Sequence, residues 1–533
     1  MIKIPWERCC NELVSKVRLG KKGEKQMRKS IWVFIIILVS LPGLAQIDQY
    51  RQSLTDALWN LQKVDPLYIN EKLTVAEELL KSSDLSLRRE GEAILESLKP
   101  LFVDVRAVET RAIWVDYVTF GKFMETGDIC RLLDQLKEIG IHILFPEVYA
   151  YGTTIYPSKV AKLQDQYRYL WEDGDILKIF IAEAHKRDME VHPLVRIFSA
   201  GYKEPGHLIK EHPEWLEVTK DGTRGSSRSY FISPTIPEFR RYLEAVMTEL
   251  VTNYEIDGLH LDYIRYEDGD FGYSAPSREL YKKLFFVDPL LIKKNTLEEA
   301  SFKEFRRAHV DAFVRFCHES LKKIRPNLLI SAAVGSPYSW ANKDLFQDWV
   351  YWAKYGYIDF VTPMEYRDTT PKFSIAVQED IKANVANIPL FSGLGLYLFA
   401  ADELENQIVE VQKNNLPGIA LFSEANMGII KFLKLKNGVF REPAYPVHRK
   451  PGEAIEIYLN DLITRIRENS TYLQLEKNTV ESWLKTIEDF KGVKPVENCN
   501  YPRMAKAINE RLGYLQMIRK YYRLPIDNFA VAE

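Results

Sequence analysis

The sequence predicts an α/β fold, a closed (β/α)8 barrel with helical segments on both flanks, and three observations support this prediction. Short apolar runs alternate with longer amphipathic stretches eight times between Arg111 and Glu424. Strands that alternate with helices form right-handed βαβ units and a parallel sheet, and eight such units favour a closed barrel over an open sheet. No glycine-rich phosphate-binding motif follows the first run, which argues against a dinucleotide-binding fold.

The eight apolar runs are the expected strands of the barrel. They are Arg111–Asp116, Ile143–Tyr149, Glu190–Ile197, Asp257–Ile264, Leu328–Gly335, Asp359–Tyr366, Pro389–Tyr397 and Gly418–Glu424. Helical patterns lie between them at Asp128–Ile139, Asp175–Arg187, Pro237–Asn253, Phe302–Ile324, Lys343–Lys354, Ile375–Val385 and Asp402–Lys413. In a TIM-type barrel the functional side chains come from the carboxyl ends of the strands. Polar residues at those ends are therefore the candidates for a site.

The segments outside the barrel also have helical patterns of apolar residues. We expect a helical N-terminal segment at 46–108, the barrel at 109–440 and a helical C-terminal region at 441–533. The clearest helical periodicity of the last region is at Tyr458–Arg467, Val480–Phe490 and Met504–Tyr521. Packing of these helices on each other or on the barrel accounts for both flanks without a further function.

The first 45 residues have the features of a secretory signal peptide. A basic stretch, Met27 to Ser30, precedes an apolar run of about 11 residues, Ile31 to Leu41. That run is shorter than the roughly 20 residues of a membrane-spanning helix, and cleavage is expected after Ala45, with Met27 as the true start. The prediction is a secreted or periplasmic protein with no stable membrane span after cleavage. An uncleaved anchor is the alternative.

Composition excludes some classes of function. The formal net charge is -2, so no global basic field attracts nucleic acid. Aromatic residues make up 12% of the chain, including 29 Tyr and 10 Trp. Such residues suit surfaces that stack on sugars, although a large barrel core accounts for most of them. Cleavage after Ala45 leaves Cys130, Cys317 and Cys499, and three cysteines cannot form a disulfide framework.

The fourth strand contains the most specific motif, which reads Asp-Gly-Leu-His-Leu-Asp-Tyr-Ile-Arg-Tyr from Asp257 to Tyr266. Side chains alternate along a strand, so His260 and Asp262 share one face and the leucines share the other. The leucine face belongs against the surrounding helices, which directs His260 and Asp262 into the barrel near its mouth. A carboxylate there is costly unless it is hydrogen-bonded or used in chemistry. A salt bridge to Arg265 or Arg196 is the structural alternative to a catalytic role.

This motif resembles the Asp-Gly-Ile-His-Leu-Asp-Tyr-Ile-Arg-Tyr-Pro signature of glycosyl-hydrolase-like family 10, a bacterial barrel family. Other stretches match the family pattern in order, namely Glu109–Trp114, Tyr156–Ser158, Ala184–His192, Ser233–Glu238 and Asp359–Met364. The resemblance covers residues 109–425. It implies a TIM barrel that acts on glycans, and activity in the family is best associated with bacterial cell-wall glycan strands.

The chain departs from the family pattern at the mouth of the barrel. Glu147 stands where the family usually has glutamine, Tyr149 where it has arginine, and Arg196 where it has asparagine. The sixth strand of the family reads Pro-Met-Asn-Tyr, and here Glu365 replaces the asparagine. These changes indicate a different substrate, a shifted catalytic pair or lost activity.

Carboxylates at the strand ends form the predicted catalytic group. Asp116, Glu147, Asp262, Glu365 and Glu424 end the first, second, fourth, sixth and eighth strands. Asp262 is the first candidate for the nucleophile or base. Glu365 is the expected partner acid, and Glu147 competes for that role. Substrate binding is the alternative role for both glutamates.

Further polar side chains near the strand ends are expected to bind substrate. They are His192, Arg196, His260, Arg265, Tyr149, Tyr266 and Glu424. Two histidines and an aspartate can hold a metal ion, but their spacing matches no usual zinc motif. The run from Glu267 to Asp270 lacks the full ligand pattern of a calcium loop. No metal or other cofactor is therefore predicted.

The predicted function is an exported glycoside hydrolase. It would cleave O-glycosyl bonds of a bacterial cell-wall glycan, such as a peptidoglycan strand, or of another polysaccharide by carboxylate acid/base catalysis. The alternative is a non-catalytic glycan-binding barrel of the cell envelope. A structural or partner-binding envelope protein is a third class, which leaves the polar strand ends unexplained.

Overall fold

The computed structural model describes residues 44–168, 175–224 and 229–491. The basic stretch and apolar run of the expected signal peptide, and the helical pattern at Met504–Tyr521, lie outside the described residues. The described chain divides into two compact units, 44–104 with 462–484 and 105–461 with 485–491. The second unit contains the barrel.

Eight parallel strands close into a barrel, which confirms the predicted fold class. They are β1 (Thr110–Val115), β2 (Ile143–Ala150), β3 (Leu194–Arg196), β4 (Gly258–Asp262), β5 (Leu329–Gly335), β6 (Phe360–Met364), β7 (Phe391–Gly395) and β8 (Gly418–Phe422). Each strand pairs with the next, and β8 pairs with β1 to close the barrel. A two-residue strand, Glu190–Val191, precedes β3 and pairs with the start of β2.

The inward faces of the strands form the core of the barrel. Side chains two residues apart lie on the same face of a strand, so Ala112 and Trp114 of β1 point inward together. The buried cluster comprises Ala112, Trp114, Ile143, Phe145, Leu194, Ala333, Phe360, Phe391 and Ala420. Met364 and Phe422, the last residues of β6 and β8, pack on this cluster. The barrel is therefore filled by side chains up to the ends of its strands.

Helices on the outside of the barrel follow the strands. They are Thr126–Glu138, Ile176–His185, Pro237–Asn253, Leu297–Ile324, Tyr338–Asp344, Trp349–Lys354, Thr370–Ala383, Ala401–Lys413 and Gly428–Asn437. The single helix expected at Lys343–Lys354 is wrong, because two helices share that stretch. The side chain of Asp348 accepts the N–H of Tyr351 at 3.0 Å and caps the second of them.

The loops that follow β1 to β4 contain short elements of their own. Their helices are Tyr117–Phe120, Asp165–Arg168, His207–Glu211 and Ala275–Phe285, with 3-10 turns at Pro213–Trp215 and Pro289–Leu291. Short strands occur at Thr153–Thr154, Lys162–Leu163, Ser199–Tyr202, Glu204–Pro205 and Ser229–Phe231. The last three of these strands pair in a small antiparallel sheet.

A network of polar side chains lies at the amino-terminal end of the barrel. Glu190 accepts a hydrogen bond from Nε of Arg449 at 2.5 Å, and its other oxygen lies 2.8 Å from Nε2 of His448. His448 Nδ1 lies 3.1 Å from the hydroxyl of Thr110, the first residue of β1. His192 Nε2 lies 3.2 Å from Glu190. The charge of Glu190 is thus compensated on several sides.

The first unit is helical and has a core of its own. Its N-terminal helices occupy 44–59, Pro66–Lys81 and Leu85–Leu98, and 462–484 includes parts of helices Pro451–Tyr472 and Lys477–Lys491. Asp65 caps the second helix by accepting the N–H of Tyr68 at 3.0 Å. Ile69, Leu73 and Leu80 repeat on one face of that helix and are buried. No helix in the described part of the chain is both long and apolar enough to cross a membrane.

Candidate active site

Three of the predicted residues meet at the carboxyl-terminal end of the barrel. Arg196 and Asp262 are the last residues of β3 and β4 and are direct partners in the register of those strands. Glu147 lies on β2 opposite Leu194, whose side chain belongs to the barrel core, so Glu147 also points inward. We call this end of the barrel the mouth, and Glu147, Arg196 and Asp262 the central group.

Arg196 connects the side chains of the mouth. Its guanidinium forms an ion pair with Glu147, with Nη2 at 3.1 Å from Oε2, and Nη1 donates to the hydroxyl of Tyr151 at 2.5 Å. The ring of Tyr263 lies 4.9 Å from Cζ of Arg196. An aromatic face is a favourable neighbour for a weakly hydrated guanidinium. Arg196 is therefore held in place by three side chains.

The carboxyl of Glu147 is buried, with only 4% of the residue exposed. Burial raises its pKa to about 7 against the opposing charge of Arg196, and the charges of Asp116 and Asp262 add to the rise. A carboxyl with a pKa near neutrality can hold a proton at physiological pH and release it during a reaction. This is the property that a general acid needs.

Asp262 provides the second carboxyl of the central group. It accepts the backbone N–H of Tyr263 at 2.6 Å. Burial raises its pKa, while Arg196, this hydrogen bond and Arg265 oppose the rise. Arg265 instead donates to the backbone carbonyls of Tyr266 and Glu267, both at 3.2 Å. In the described chain no arginine lies within ion-pair distance of Asp262, so the salt bridge considered for it is not formed.

Glu424 and Asp116 lie where β8 and β1 end side by side. Glu424 accepts the N–H of Asp116 at 3.1 Å with one oxygen and the hydroxyl of Thr119 with the other. Asp116 in turn accepts the hydroxyl of Ser423 at 2.6 Å. Glu424 is 8% exposed and both its oxygens are occupied. Its position fits a role in holding the turn after β1 better than the expected contact with substrate.

An aromatic wall that the site prediction omitted borders Asp262. The ring of Tyr366 stacks on Phe422 with centroids 5.5 Å apart and meets Tyr397 edge-on at 6.1 Å. Burial raises the pKa of the Tyr366 hydroxyl, and the charge of Asp262 adds to the rise. Tyr397 is 54% exposed. Side chains alternate along a strand, so the inward-facing Met364 predicts that Tyr366, two residues later, also points inward. Tyr366 could therefore have been predicted from the sequence.

Glu365 does not join the central group. It follows Met364, which packs on the barrel core, and alternation turns Glu365 to the outside of the barrel. There its carboxyl contacts the hydroxyl of Ser392 and the carboxyl of Asp380 on helix Thr370–Ala383. Burial and the charge of Asp380 raise the pKa of Glu365 well above its usual range. This position does not fit the expected role of partner acid.

Both histidines that were expected to bind substrate lie inside the core. His260 is fully buried, with Nδ1 at 2.8 Å from the hydroxyl of Ser331 and Nε2 accepting the indole N–H of Trp114 at 3.2 Å. Burial lowers the pKa of His260 well below its usual value. His192 is also fully buried and lies next to Glu190 at the amino-terminal end. Neither imidazole is exposed to a ligand at the mouth.

Two tyrosines of the predicted site are buried outside the mouth. At a β-bulge, an advance of two residues along β2 corresponds to an advance of one residue along β3. Tyr149 therefore pairs with Val195 and faces outward, and only 1% of its surface is exposed. Tyr266 is also 1% exposed and packs edge-on against Phe346 at 5.4 Å. Rings buried in this way offer no face to a sugar, so the expected substrate contacts of Tyr149 and Tyr266 are not available.

The described chain does not group three or more His, Cys, Asp or Glu side chains in a way that would hold a metal ion. In the turn after β4, Asp268 accepts the N–H of Asp270 at 2.9 Å, as in an ordinary loop turn. An open cleft of about 590 Å³ lies beside this turn, with Tyr273 and Lys293 among its walls. The residues that line this cleft are distinct from the central group.

The mouth can perform acid–base chemistry on a neutral ligand rich in hydroxyl groups. Glu147 supplies a carboxyl that holds a proton near neutral pH, and Asp262 supplies a second carboxyl. Tyr397, which contacts Tyr366, offers an exposed aromatic face. Two carboxyls at the strand ends of a (β/α)8 barrel are the arrangement of a glycoside-hydrolase type of protein.

The comparison with known families agrees with this class. A family model described as "Glycosyl hydrolase-like 10" matches residues 109–398, which is 290 of the 533 residues. The chain therefore belongs to the glycosyl hydrolase-like 10 family, as its motifs predicted. The matched region contains Glu147, Arg196 and Asp262.

Known relatives and solved structures resemble parts of the chain. Glycosyl hydrolase DigH of Escherichia coli is 22% identical over 44% of this chain and 56% of its own length. Glycosyl hydrolase YngK of Bacillus subtilis is 21% identical over 48% of this chain and 54% of its own. The chain thus spans about half the length of these relatives. The PgaB (BpsB) glycoside hydrolase domain from Bordetella bronchiseptica is 12% identical with a TM-score of 0.49, over 61% of this chain and 98% of that domain.

Proposed function

We propose that this protein is an exported glycoside hydrolase that cleaves O-glycosyl bonds of a polysaccharide, with bacterial cell-wall glycan strands as the first candidate substrate. The observation that carries the proposal is the pair of carboxyls, Glu147 and Asp262, gathered around Arg196 at the mouth. Membership of the glycosyl hydrolase-like family supports the class of reaction. The aromatic wall beside Asp262 supports a sugar as the ligand.

In the proposed mechanism Glu147 is the general acid. Because its pKa is about 7, it carries a proton in about half of the molecules at neutral pH, and the protonated form gives that proton to the leaving glycosidic oxygen as the bond to the anomeric carbon breaks. The carboxylate that remains on Glu147 is stabilised by Arg196. Asp262 is the second carboxylate, which acts on the anomeric carbon directly or through the attacking water. Water supplies the hydroxyl of the new reducing end and the proton that restores Glu147.

Export is part of the proposal, because a cell-wall glycan lies outside the cytoplasm. The basic stretch, the apolar run and the small residues before Gln46 support it. Sequencing the amino terminus of the protein recovered from outside the cytoplasm tests this step. A start at Gln46 is the expected result, and a full-length chain found in the cytoplasm would contradict it.

The second candidate function is glycan binding without turnover. It is favoured by the ion pair between Glu147 and Arg196, which stand where the family pattern has glutamine and asparagine. If Arg196 holds Glu147 ionised, no acid remains to protonate the leaving oxygen. The two candidates therefore differ in whether Glu147 holds a proton when a glycan is bound.

The experiment that separates them is a cleavage assay with product analysis by mass spectrometry. The purified protein is incubated with peptide-free peptidoglycan strands and with a panel of common polysaccharides, beside Asp262→Asn and the matched control Glu365→Gln. We expect the parent and Glu365→Gln to cleave the same glycan and Asp262→Asn to be inactive while still folded. Binding of glycans with no cleavage of any of them would support the second candidate instead.

A further inference from the structure

The segment after β4 exposes a group of large apolar side chains at one edge of the barrel unit. Phe286 is 89% exposed, and the neighbouring side chains are more than two-fifths exposed. We call this group the apolar tip; it comprises Leu284, Phe285, Phe286, Leu291 and Leu297. Soluble proteins rarely group exposed apolar side chains in this way unless another surface covers them.

The residues that support the apolar tip are themselves well packed. Helix Ala275–Phe285 ends where Phe286 adopts a left-handed conformation with φ 60° and its N–H bonds to the carbonyl of Lys282 at 2.8 Å. The ring of Phe285 stacks on that of Tyr281 with centroids 4.4 Å apart. A bulky residue with positive φ is uncommon. Phe286 adopts this unfavourable backbone conformation without burying its ring. The conformation therefore keeps Phe286 pointing into solvent.

The charges around the apolar tip are predominantly positive. Within residues 282–294 there are four exposed lysines and one aspartate. The lysines are Lys282, Lys283, Lys293 and Lys294. The aspartate, Asp288, is bound by Arg278 through two hydrogen bonds of 2.6 and 3.0 Å. In the described chain no carboxylate lies within ion-pair distance of the four lysines. Asp288 is paired with Arg278 and Glu299 with Lys303, which leaves the exposed acids Glu279 and Glu298 beside the apolar tip, so the lysines outnumber the unpaired acids by four to two.

We propose that the apolar tip and the lysines around it dock on the surface of an anionic lipid bilayer. The apolar tip would enter the boundary between headgroups and acyl chains, and the four lysines would meet lipid phosphates. A second copy of the chain is a poorer occupant, because a symmetric contact at the apolar tip would bring two sets of lysines together. The site is separate from the mouth, so the inference does not depend on the proposed function.

The test uses the full chain and a local readout, since the apolar run at 31–41 can itself bind lipid. Hydrogen exchange of residues 282–297 is measured with vesicles of equal parts phosphatidylglycerol and phosphatidylcholine, and with vesicles of phosphatidylcholine alone. We expect protection of this segment by the first vesicles only, and loss of that protection in 0.5 M salt, where the Debye length is about 4 Å.

Variants identify the residues responsible. Phe286→Asn keeps the left-handed backbone, which asparagine adopts readily, and is expected to raise the half-maximal lipid concentration about tenfold or more. Lys283→Gln is expected to raise it about fivefold. Val385→Asn is the matched control, because Val385 is 75% exposed without belonging to the apolar tip, and it should behave like the parent.

Two kinds of result would overturn the proposal. One is an absence of protection with phosphatidylglycerol vesicles, or protection that Phe286→Asn leaves unchanged. The other is protection without lipid that grows with protein concentration, because it would show that a second copy of the chain covers the apolar tip.

Discussion

The two ends of the barrel each contain a glutamate of low exposure beside an arginine, yet the pKa values of the two glutamates are shifted in opposite directions. At the amino-terminal end, burial alone would raise the pKa of Glu190, but His448 and His192 outweigh it and hold the pKa well below its usual range. At the mouth, burial raises the pKa of Glu147 to about 7 in spite of Arg196. The same pair of residue types thus gives an ionised carboxylate at one end and a carboxyl that gains and loses its proton near neutral pH at the other.

The difference lies in the surrounding groups. Glu190 has Arg449, His448 and His192 within hydrogen-bond distance, whereas Glu147 has one arginine, Arg196, and the charges of Asp116 and Asp262 oppose its ionisation. Compensation of charge favours stability, and accumulation of like charge favours proton transfer at a cost in stability. We therefore expect substitutions at the two ends to affect activity and stability in opposite ways.

The largest effect is expected from Asp262→Asn. It should lower kcat/KM for the cleaved glycan roughly 10³-fold, because a catalytic carboxyl contributes 10²- to 10⁴-fold. The same variant should have a higher melting temperature than the parent at pH 8. The folded-state pKa of Asp262 is raised, so its ionisation lowers stability as pH rises through that pKa, and asparagine does not ionise. Unchanged activity in Asp262→Asn would remove the mouth as the catalytic site.

The next largest effect is expected at the opposite end of the barrel. Glu190→Gln removes the carboxylate that Arg449, His448 and His192 share, although Arg449 keeps its ion pair with Asp188, and should lower the free energy of unfolding by about 2 kcal/mol. Denaturant titration followed by circular dichroism measures this loss. Activity of the folded variant should stay within about threefold of the parent. A large loss of kcat with unchanged stability would contradict the division of roles between the two ends.

A smaller, pH-dependent effect is expected from Glu365→Gln. Burial and the charge of Asp380 raise the pKa of Glu365 in the folded protein, and burial raises the pKa of Asp380 to about 7 although its hydrogen bond with Glu365 opposes the rise. The folded state therefore binds more protons than the unfolded state above about pH 4, and stability falls as pH rises. Removing one carboxyl should reduce this fall and stabilise the protein by about 1 kcal/mol or more at pH 8, beyond the range of ordinary surface changes.

Thermal unfolding at pH 5 and pH 8 measures the effect of Glu365→Gln. The gain in stability should be present at pH 8. It should shrink or vanish at pH 5, where the carboxyls of the pair are protonated in the folded parent. An equal change at both pH values would show that packing, rather than the paired carboxyls, is responsible.

The smallest effect is expected at the aromatic wall. Tyr397→Ser removes an exposed ring beside the mouth and should raise KM about fivefold, since one aromatic stacking contact contributes about 1 kcal/mol. Tyr202→Ser is the matched control, because Tyr202 is 53% exposed on the small antiparallel sheet. A rise in KM of similar size in both variants would mean that Tyr397 has no specific contact with the glycan.

The order of strands could be predicted from the sequence because each strand is a short apolar run between amphipathic helices. Asp262 and Arg196 could be predicted as well, since both end inward-facing strands with regular alternation. The signature of the fourth strand identified the family, and the family model confirms it. These features depend on local periodicity, which can be seen directly in the sequence.

The predicted positions of three site residues were wrong for geometric reasons. A β-bulge in β2 turned Tyr149 outward, although strict alternation from Glu147 predicts the inside. His192 and Arg196 share an inward-facing strand segment, but the tilt and stagger of the strands put His192 at the depth of Glu190. Glu365 was one residue beyond an inward-facing methionine and was assigned to the wrong face.

Glu147 is proposed as the general acid of the mouth, and the leaving group of the substrate tests this role most directly. Glu147→Gln and the parent are compared on the natural glycan and on an aryl glycoside whose phenolate leaves without a proton. Loss of the acid should lower cleavage of the glycan roughly 10²-fold or more and leave cleavage of the aryl glycoside within about tenfold. Equal losses on both substrates would contradict the claim, because a general acid matters only where the leaving oxygen needs its proton.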